Sequence, residues 1–374
     1  MLKNSPKLTS AELKRYSRHL AIPEFNIAAQ EKLKAAKVLV VGSGGLGSPL
    51  LLYLTAAGVG HIGIVDFDVV DDSNLQRQVL FTVDDIGKSK AETAKKRLEK
   101  LNPFVKIAIY NKAFTKNNAL EIIQDYDVVA DGTDNFPTRY LVNDACVLAG
   151  KINVYASVLR FEGQGSGFNF PNKDGSRGIN YRDLFPEPPP PDMVPNCADG
   201  GVLGVLPGII GSMQASEVIK VITGVGTPLS GRLFLFDAAS FTTRILKLGK
   251  KTNTTITKLI NYEQFCGVGQ ESNEMLVKEI TAQEFKKMMD DPLSDFQLID
   301  VREPHEAEVM TLGGELIPLA TIADNFSKIS KNKKVIIYCR SGQRSAKAIQ
   351  ILQKMDSSFD NLYNLKGGFF LMDN

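Results

Sequence analysis

The stretch VLVVGSGGLG, residues 38–47, decides the fold of the first part of the chain. Its four apolar residues predict a short buried strand, and the glycines that follow predict a tight turn. The next residues predict an apolar helix from about Leu46 to Ala57 and a second strand from His61 to Phe67. A strand, a glycine turn, a helix and a strand form a βαβ unit, which predicts a parallel sheet.

The alternation of strands and helices continues on both sides of this unit. The first ~35 residues are predicted to be helical from their apolar spacing. Further strands are predicted at Val105–Asn111, Asp127–Asp131, Ile152–Ser157 and Gly231–Asp237, with helices at Asp84–Leu101, Asn117–Gln124, Thr138–Ala149 and Gly204–Thr223. The proline run from Glu187 to Pro195 predicts an extended crossing segment, because successive prolines fit neither a helix nor a central strand.

A polar, aperiodic stretch predicts a linker at residues 267–276. The linker separates residues 1–266 from residues 277–374, and 374 residues are enough for two or three domains. The second part restarts the α/β pattern on a smaller scale. Its predicted helices are Thr281–Met289 and Ser345–Met355, and its predicted strands are Phe296–Val301 and Lys334–Cys339.

Composition narrows the class of function. A net charge of +2 gives no reason to expect nucleic acid or an acidic membrane surface as a partner. Residues 1–10 lack the apolar stretch of a signal peptide, and the longest apolar stretch, Gly201–Met213, contains Pro207 and falls short of a spanning helix. Four scattered cysteines are not a secreted disulfide framework. We therefore expect a soluble, cytoplasmic protein.

The glycine turn is a candidate phosphate site. Its glycines, Gly42, Gly44, Gly45 and Gly47, follow a strand and open a helix, where backbone N–H groups attract anions. Asp66 ends the second predicted strand, where an acid can accept hydrogen bonds from ribose hydroxyls. NAD binding by an ordinary dehydrogenase is an equally good interpretation of these residues alone.

Three further features favour a nucleoside triphosphate. The segment NLQRQ puts Asn74 and Arg77 just after the ribose acid, where a dehydrogenase needs no cation. Lys90 opens an amphipathic helix and is a candidate phosphate ligand, with a solvated surface lysine as the alternative. Asp134, in the motif DGTDN, follows a buried strand and suits Mg²⁺ beside phosphates. Nucleotidyl transfer needs this combination of cations and metal.

Six motifs in order resemble the MoeB/ThiF adenylyltransferases, the bacterial relatives of ubiquitin-activating enzymes. The motifs are RYSR at 15–18, GSGGLG at 42–47, DFD at 66–68, NLQRQ at 74–78, Lys90 and DGTDN at 131–135. The resemblance covers about residues 8–266. It implies an α/β fold, a Rossmann-like ATP-binding adenylation domain with a mixed sheet.

The resemblance also implies a reaction and its residues. ATP would adenylate the C-terminal Gly-Gly carboxylate of a small ubiquitin-like sulfur-carrier protein, releasing pyrophosphate. The enzyme would be a homodimer in which Arg18 reaches the ATP of the partner subunit. The glycines and Asp68 would also line the ATP site, with Asp66 at the ribose and Asp134 as the Mg²⁺ ligand. The implied phosphate ligands are Asn74, Arg77 and Lys90. Arg77 and Lys90 would be the catalytic cations.

One departure from the family pattern concerns zinc. Most members carry two Cys-x-x-Cys pairs that bind a structural zinc. Here the first region reads YRDL at 181–184, and the second reads FCGV at 265–268, with Cys266 as its one thiol. One thiol cannot build a tetrahedral zinc site. We therefore expect no zinc, and a lobe held together by packing alone, with Cys266 a relic or a core residue.

Cys339 marks a candidate sulfur site in the second domain. It ends an apolar strand and precedes a six-residue loop and a helix. The loop can wrap its N–H groups around the sulfur, while its two arginines and the helix N-terminus stabilise a thiolate or persulfide anion. The loop residues are Arg340, Ser341, Gly342, Gln343, Arg344 and Ser345. A free core cysteine at a strand end is the alternative.

The motif CRSGQRS, with LIDVRE at 298–303 and LKGG at 365–368, resembles a small α/β rhodanese-like domain over residues 277–374. The resemblance implies that Cys339 takes sulfur from a donor such as a cysteine desulfurase. It would pass the sulfur to the carrier adenylate, giving a thiocarboxylate and AMP. The fused arrangement resembles proteins of molybdopterin, thiamine or thionucleoside pathways, and the sequence does not name the carrier.

Cys197, after the proline run, is a second candidate thiol. The family resemblance gives it a catalytic role near the adenylated carrier, including formation of an acyl disulfide. The alternative is a small buried apolar residue, which is common for cysteine. Cys146 lies inside a predicted helix and is expected in the core.

Two other functions stay open from the sequence. An NAD-dependent oxidoreductase fused to a sulfurtransferase would use the same glycine turn, although Arg77 and Lys90 speak against it. A non-adenylating docking scaffold with an active rhodanese domain would have no use for Lys90 and Asp134.

Overall fold

The computed structural model describes residues 6–189, 200–250, 255–267 and 277–369. The chain divides into two compact units, Met1–Gln270 and Glu271–Asn374. The first unit contains an eight-stranded mixed sheet, and the second contains a five-stranded parallel sheet. The predicted α/β class is confirmed in both units. The predicted linker bounds at 267 and 276 stay a prediction.

The first unit begins with short helices and continues as a strand–helix alternation. Its helices are α1 (Ser10–Arg15), α2 (Ser17–Leu20), α3 (Ile27–Ala35), α4 (Gly47–Ala57), α5 (Lys90–Leu101), α6 (Ala119–Gln124), α7 (Phe136–Leu148), α8 (Tyr181–Leu184), α9 (Val205–Thr223) and α10 (Tyr262–Phe265). Its strands are β1 (Lys37–Val41), β2 (His61–Val65), β3 (Lys106–Tyr110), β4 (Val128–Asp131), β5 (Ile152–Leu159), β6 (Glu162–Phe168), β7 (Arg232–Asp237) and β8 (Thr242–Lys247).

The strand order of the large sheet is β3-β2-β1-β4-β5-β6-β7-β8. In this order, each neighbouring pair from β3 through β2, β1 and β4 to β5 is parallel, and each pair from β5 to β8 is antiparallel. In the central register, Val41 lies opposite Val65 on one side and opposite Asp131 on the other. Three strands therefore end level with one another, which brings the residues that follow them to one edge.

Strand β1 is buried on both faces, as its unbroken apolar run predicts. Val38 and Val40 belong to a core cluster that includes residues of α3 and α4. Leu39 and Val41 belong to a second cluster that includes residues of α6 and α7. Helices on both faces of this strand thus fix the start of the glycine turn from two sides.

Two helices differ from their predicted form. The helix predicted from Asp84 begins at Lys90, because Gly87 adopts a φ of 80° and the Ser89 hydroxyl caps the new N-terminus by accepting the Glu92 N–H. The prediction that the longest apolar stretch, Gly201–Met213, is too short to span a membrane is wrong as to length. It belongs to α9, whose 19 residues are long and apolar enough by composition, because Pro207 lies in the first turn, where helices tolerate proline. The helix packs against α3, α4, β5 and β6 as a core helix.

The lobe that lacks the zinc cysteines is not held by packing alone, which corrects the prediction. Arg182 of α8 forms a buried ion pair with Asp144 of α7, with N–O distances of 2.7 to 3.1 Å. The Tyr262 hydroxyl of α10 donates to the same carboxylate at 2.8 Å, and the guanidinium lies 4.4 Å from the ring centroid of Phe265. A buried cation therefore joins the two segments that carry zinc ligands in most family members. Cys266 is buried in the adjoining core, and burial raises the pKa of its thiol to about 11.

The second unit is a small three-layer domain. Its helices are α11 (Ala282–Asp290), α12 (Pro304–Val309) and α13 (Gln343–Met355), and its strands are β9 (Lys278–Ile280), β10 (Phe296–Asp300), β11 (Glu315–Leu316), β12 (Lys334–Tyr338) and β13 (Leu362–Leu365). The sheet order is β11-β10-β12-β13-β9. The central strand β12 is buried and ends directly before Cys339.

Candidate active sites

The glycine turn of the first unit is tightly folded. Gly42 has a φ of 91°, and a Cβ on Gly47 would lie 2.0 Å from the Gly42 carbonyl oxygen. A Cβ on Gly42 would lie 3.0 Å from the carbonyl oxygen of Gly132, after β4. Glycine is therefore required at both ends of the turn, which keeps the N-terminus of α4 open to an anion.

Asp66 braces the glycine turn. One carboxylate oxygen accepts the backbone N–H and the hydroxyl of Ser43, both at 2.7 Å, and the other accepts the Asp68 N–H at 2.9 Å. A carboxylate has about four acceptor positions, so one remains for a ligand hydroxyl. The predicted ribose acid is thus also the residue that ties β2 to the turn.

Lys90 is not a solvated surface lysine, because it is only 5% exposed. The side-chain ammonium of Lys90 lies 3.2 Å from the carboxylate of Asp68, and the backbone N–H of Lys90 donates to the backbone carbonyl of Asp68 at 2.9 Å. The Asp68 side chain is exposed. The cation is therefore held at the sheet edge beside the residue that follows Asp66.

The NLQRQ segment lies against the glycine turn. Arg77 donates to the Ser73 carbonyl at 3.0 Å, and its Cγ lies 3.6 Å from where a Cβ on Gly45 would be. Gln78 is buried beside Gly44, with its amide nitrogen 3.5 Å from the corresponding point. Asn74 ends a short 3-10 helix in the same segment. The structure therefore brings the predicted phosphate ligands and the turn together.

Two aspartates lie at the carboxyl end of β4, one buried and one exposed. Asp131 is fully buried, burial raises its pKa, and one of its oxygens accepts the N–H and hydroxyl of Thr133. Asp134 is exposed, and the neighbouring Asn135 caps α7 by accepting the Thr138 N–H. An exposed carboxylate at the carboxyl end of a parallel strand is the kind of ligand that Mg²⁺ takes together with phosphate oxygens.

A cavity of about 660 Å³ opens beside Asp134, and the sequence did not indicate it. Its wall includes the buried cation Arg139, whose guanidinium lies 5.3 Å from the ring centroid of Tyr155. Glu187 and Pro189, at the start of the proline run, also line it. An Arg five positions after Asp134 on a predicted helix was the available signal. The cavity is also lined by residues of β6 and β8, two strands that no local pattern predicted.

The remaining candidates of the first unit are dispersed. Arg18 is exposed on α2. Cys197 lies outside the described residues. Cys146 is fully buried, which confirms its expected place in the core, and burial raises the pKa of its thiol.

In the second unit, Cys339 lies at the bottom of a loop between β12 and α13. Its Sγ accepts the Gly342 N–H at 3.1 Å and lies 3.4 Å from the Ser345 hydroxyl oxygen. The Phe369 N–H donates to the Cys339 carbonyl at 2.8 Å. The expected wrapping of the sulfur is present for these groups, and the thiol itself is buried.

The arginine at the end of the loop has a carboxylate partner. Arg344 forms two hydrogen bonds to Glu306 of α12, at 2.6 and 2.7 Å. These bonds lower the pKa of Glu306 to about 2. Arg340, Ser341 and Gln343 are exposed at the rim of the loop. The ion pair fastens the loop to α12, a link that sequence reasoning missed.

The two units match two protein families. The ThiF family matches residues 16–258, and the rhodanese-like domain matches residues 281–372. The chain belongs to the ThiF family. Membership favours adenylation over the NAD-dependent alternative, and the two matched families together fit adenylation and sulfur transfer.

Two of the curated relatives of this ThiF-family chain are named for both activities, and a third is named for adenylation alone. A probable adenylyltransferase/sulfurtransferase MoeZ of Mycobacterium tuberculosis is 47% identical, over 96% of this chain and 93% of the length of MoeZ. The adenylyltransferase and sulfurtransferase MOCS3 of Drosophila sechellia is 43% identical over 93% and 80%. A sulfur carrier protein adenylyltransferase of Thermus thermophilus is 49% identical over 70% and 98%. The ThiF-family chain is therefore an enzyme of the adenylyltransferase and sulfurtransferase classes.

Solved structures agree on the fold. The crystal structure of Escherichia coli MccB with ATP has a TM-score of 0.57 and 24% identity to the ThiF-family chain, covering 66% of it and 75% of MccB. At this identity the likeness concerns the fold alone.

Proposed function

We propose that the first unit uses ATP to adenylate the C-terminal Gly-Gly carboxylate of a small ubiquitin-like sulfur-carrier protein, and that the second unit supplies the sulfur. A persulfide on Cys339 is the sulfur source, and the product is a thiocarboxylate. The relatives' names support both activities, and the Thermus relative is named for a sulfur carrier.

One observation carries the adenylation half. A continuous series of contacts runs from Lys90 through Asp68 and Asp66 to the glycine turn, and from the turn to the loop after β4. Cation, ribose acid, phosphate loop and metal ligand are thus parts of one sheet edge. Such preorganised charge is the main requirement of nucleotidyl transfer.

In the adenylation step the carrier carboxylate attacks the α-phosphate, and pyrophosphate leaves. Arg77 and Lys90 neutralise the phosphate charge, and Asp66 keeps its last acceptor position for the ribose. Asp134 would hold Mg²⁺ together with phosphate oxygens, and the bound metal would supply further charge neutralisation. We assign the cavity to the carrier tail, because it is lined by Asp134, the proposed metal ligand. The exposure of Arg18 supports the proposed homodimer, in which it reaches the partner's ATP.

In the sulfur step the outer sulfur of the Cys339 persulfide attacks the acyl carbon, and AMP leaves with the bonding electron pair. A second thiol, for which we propose Cys197, then attacks the Cys339 sulfur. The S–S electron pair stays on the carrier as the thiocarboxylate, and the resulting disulfide is reduced by an external thiol. We propose a cysteine desulfurase as the donor and a reducing, cytoplasmic location for the enzyme, because free reactive thiols persist there.

We also propose that the first unit folds without zinc. Arg182 and Cys266 stand in the two regions where zinc cysteines would be needed, and a buried cation repels a divalent metal. Elemental analysis of the purified chain tests this, since stoichiometric zinc would contradict it.

The first experiment is ATP–pyrophosphate exchange with each Gly-Gly-ending carrier of the source organism added singly. Exchange that depends on one carrier would establish the activity and name the partner. If no carrier stimulates exchange while the protein still transfers sulfur from thiosulfate, the first unit is a docking platform, and the adenylation half of the proposal is wrong.

A further inference from the structure

The hydroxyl of Ser345 lies at a branch point beside the sulfur of Cys339. Its oxygen is 2.6 Å from the side-chain carbonyl oxygen of Asn364, 3.1 Å from the Gly342 carbonyl and 3.4 Å from Cys339 Sγ. Ser345 is fully buried and Asn364 is 4% exposed. Bulk water therefore does not supply alternative partners for these groups.

A hydroxyl has one hydrogen to donate, and it faces three acceptors when the sulfur is charged. The shortest contact marks Asn364 as the acceptor in the state described here. Cys339 as a thiol completes the arrangement, because S–H can donate to the Ser345 oxygen while Ser345 donates to Asn364. The sulfur, the Ser345 hydroxyl and the Asn364 oxygen then each have a partner.

The arrangement cannot persist when the sulfur becomes an anion. A thiolate or persulfide anion has no hydrogen to donate, and a charged acceptor attracts the Ser345 hydrogen more strongly than a neutral amide does. Ser345 then turns to the sulfur and leaves the Asn364 oxygen buried without a donor. Rotation of the amide by half a turn removes this penalty, because its NH₂ group then donates to the Ser345 oxygen.

Backbone contacts prevent larger rearrangements. The Phe369 N–H holds the Cys339 carbonyl, and β13, which contains Asn364, pairs with β12 directly before Cys339. A Cβ on Gly368 would lie 2.4 Å from the Cys339 carbonyl oxygen, so the two segments are in close contact. Rotation of one side-chain amide is thus the available response.

We propose that Asn364 is a positioning residue for Cys339. The side-chain amide of Asn364 turns as the sulfur gains or loses its proton, and Asn364 thereby acts on the sulfur through the hydroxyl of Ser345. Asparagine suits this role because it offers a donor and an acceptor at the same site. An aspartate would offer acceptors alone and would hold the Ser345 hydrogen away from the sulfur. The sulfur-carrying role of Cys339 rests on the proposed function, whereas the response of the thiol to Asn364 does not.

The test measures the pH dependence of Cys339 alkylation by iodoacetamide in the full chain, followed by mass spectrometry of the Cys339 peptide. We expect Asn364→Asp to raise the midpoint by about one pH unit, a tenfold loss of thiolate below it. Asn364→Leu removes the competing acceptor, so its midpoint stays at the wild-type value or falls. Should leucine not fit, Asn364→Ala gives the same comparison.

A control in the Ser345→Ala background separates positioning from packing. Without the hydroxyl, Asn364→Asp should raise the midpoint much less than it does in the wild-type background, because there is no Ser345 hydrogen for the carboxylate to hold away from the sulfur. An equal Asn364→Asp shift with and without Ser345, which direct charge repulsion would give, or an Asn364→Asp midpoint equal to wild type, would overturn the proposal. Sulfur transfer from thiosulfate to cyanide is measured in parallel. Failure of the wild-type chain in that assay would count against the proposed function and not against the relay.

Discussion

Glu306 and Arg344 are the residues whose charge state sets the stability of the sulfur loop. Their ion pair lowers the pKa of Glu306 to about 2, from an ordinary value of 4.5. A lowered carboxyl pKa means stability that is present above 4.5 and is lost as the pH falls towards 2. At neutral pH the pair is therefore fully formed.

Glu306→Gln should destabilise the second unit at pH 7 by roughly 1 kcal/mol, since the pair is partly exposed and water screens it. Near pH 2 the variant and the wild type should unfold alike. Urea unfolding at both pH values checks this, with Glu308→Gln, an exposed change on the same helix, as control. A difference that persists unchanged at pH 2 would show that the pair is not its source.

Asp134→Ala should abolish carrier-dependent pyrophosphate exchange, because the proposed metal ligand is lost, while Cys339 still accepts sulfur from thiosulfate. Asp125→Ala removes an exposed carboxylate before the opposite end of β4 and should leave exchange intact. Exchange at the wild-type rate in Asp134→Ala would contradict the assignment of the metal site.

Single-residue predictions were strongest where the motif is local. Gly42, Asp66 and Lys90 lie on segments of two consecutive βαβ units, β1-α4-β2 and β2-α5-β3, so the order of the elements alone brought them together. The second role of Asp66, bracing Ser43, was not readable, because it depends on the conformation of the turn. The contact of Ser345 with Asn364 joins residues of different elements, and no pattern in the sequence indicated it.

At the level of elements, strands buried on both faces were predicted well, and so was β7 of the antiparallel part, whereas β6 and β8 were not. Strand β6 contains three glycines, and every residue of β8 is exposed, so neither has the apolar signal of a strand. Their pairing with β5 and β7 is what makes them strands. The cavity beside Asp134 depends on them, which is why it could not be predicted.

The joining of α7, α8 and α10 by Arg182 gives a stability prediction. Arg182→Ala leaves Asp144 buried without its cation, and we expect the first unit to lose about 3–5 kcal/mol of unfolding free energy. Lys173→Ala, an exposed change nearby in sequence, should cost little. The double variant Arg182→Met/Asp144→Leu should recover much of the loss, because no charge stays unpaired.

Chemical unfolding followed by tyrosine fluorescence measures this, since the lobe contains Tyr140, Tyr181 and Tyr262. A small loss in Arg182→Ala would show that packing carries the lobe after all.

At the scale of the whole molecule, each compact unit holds its own set of reactive groups. The Cys339→Ala chain should adenylate the carrier normally and make no thiocarboxylate. The Asp134→Ala chain should carry sulfur and make no adenylate.

A mixture of the two variants should therefore restore thiocarboxylate formation, because the adenylated carrier and the persulfide form on different chains. Mass spectrometry of the carrier detects the product. Failure of the mixture, with each half-reaction intact, would mean that sulfur transfer requires both sites on one chain.

The burial of the Cys339 thiol has a consequence for oxidative damage. In an empty second unit the buried sulfur, which accepts the Gly342 N–H, should react with peroxide more slowly than an exposed thiol would. A persulfide adds a second sulfur about 2.05 Å farther out, which brings the vulnerable atom towards the surface. The enzyme should thus be sensitive to oxidants mainly while Cys339 carries a persulfide. The atom oxidised would be the outer, transferable sulfur, and the cysteine sulfur itself would be preserved for another turnover.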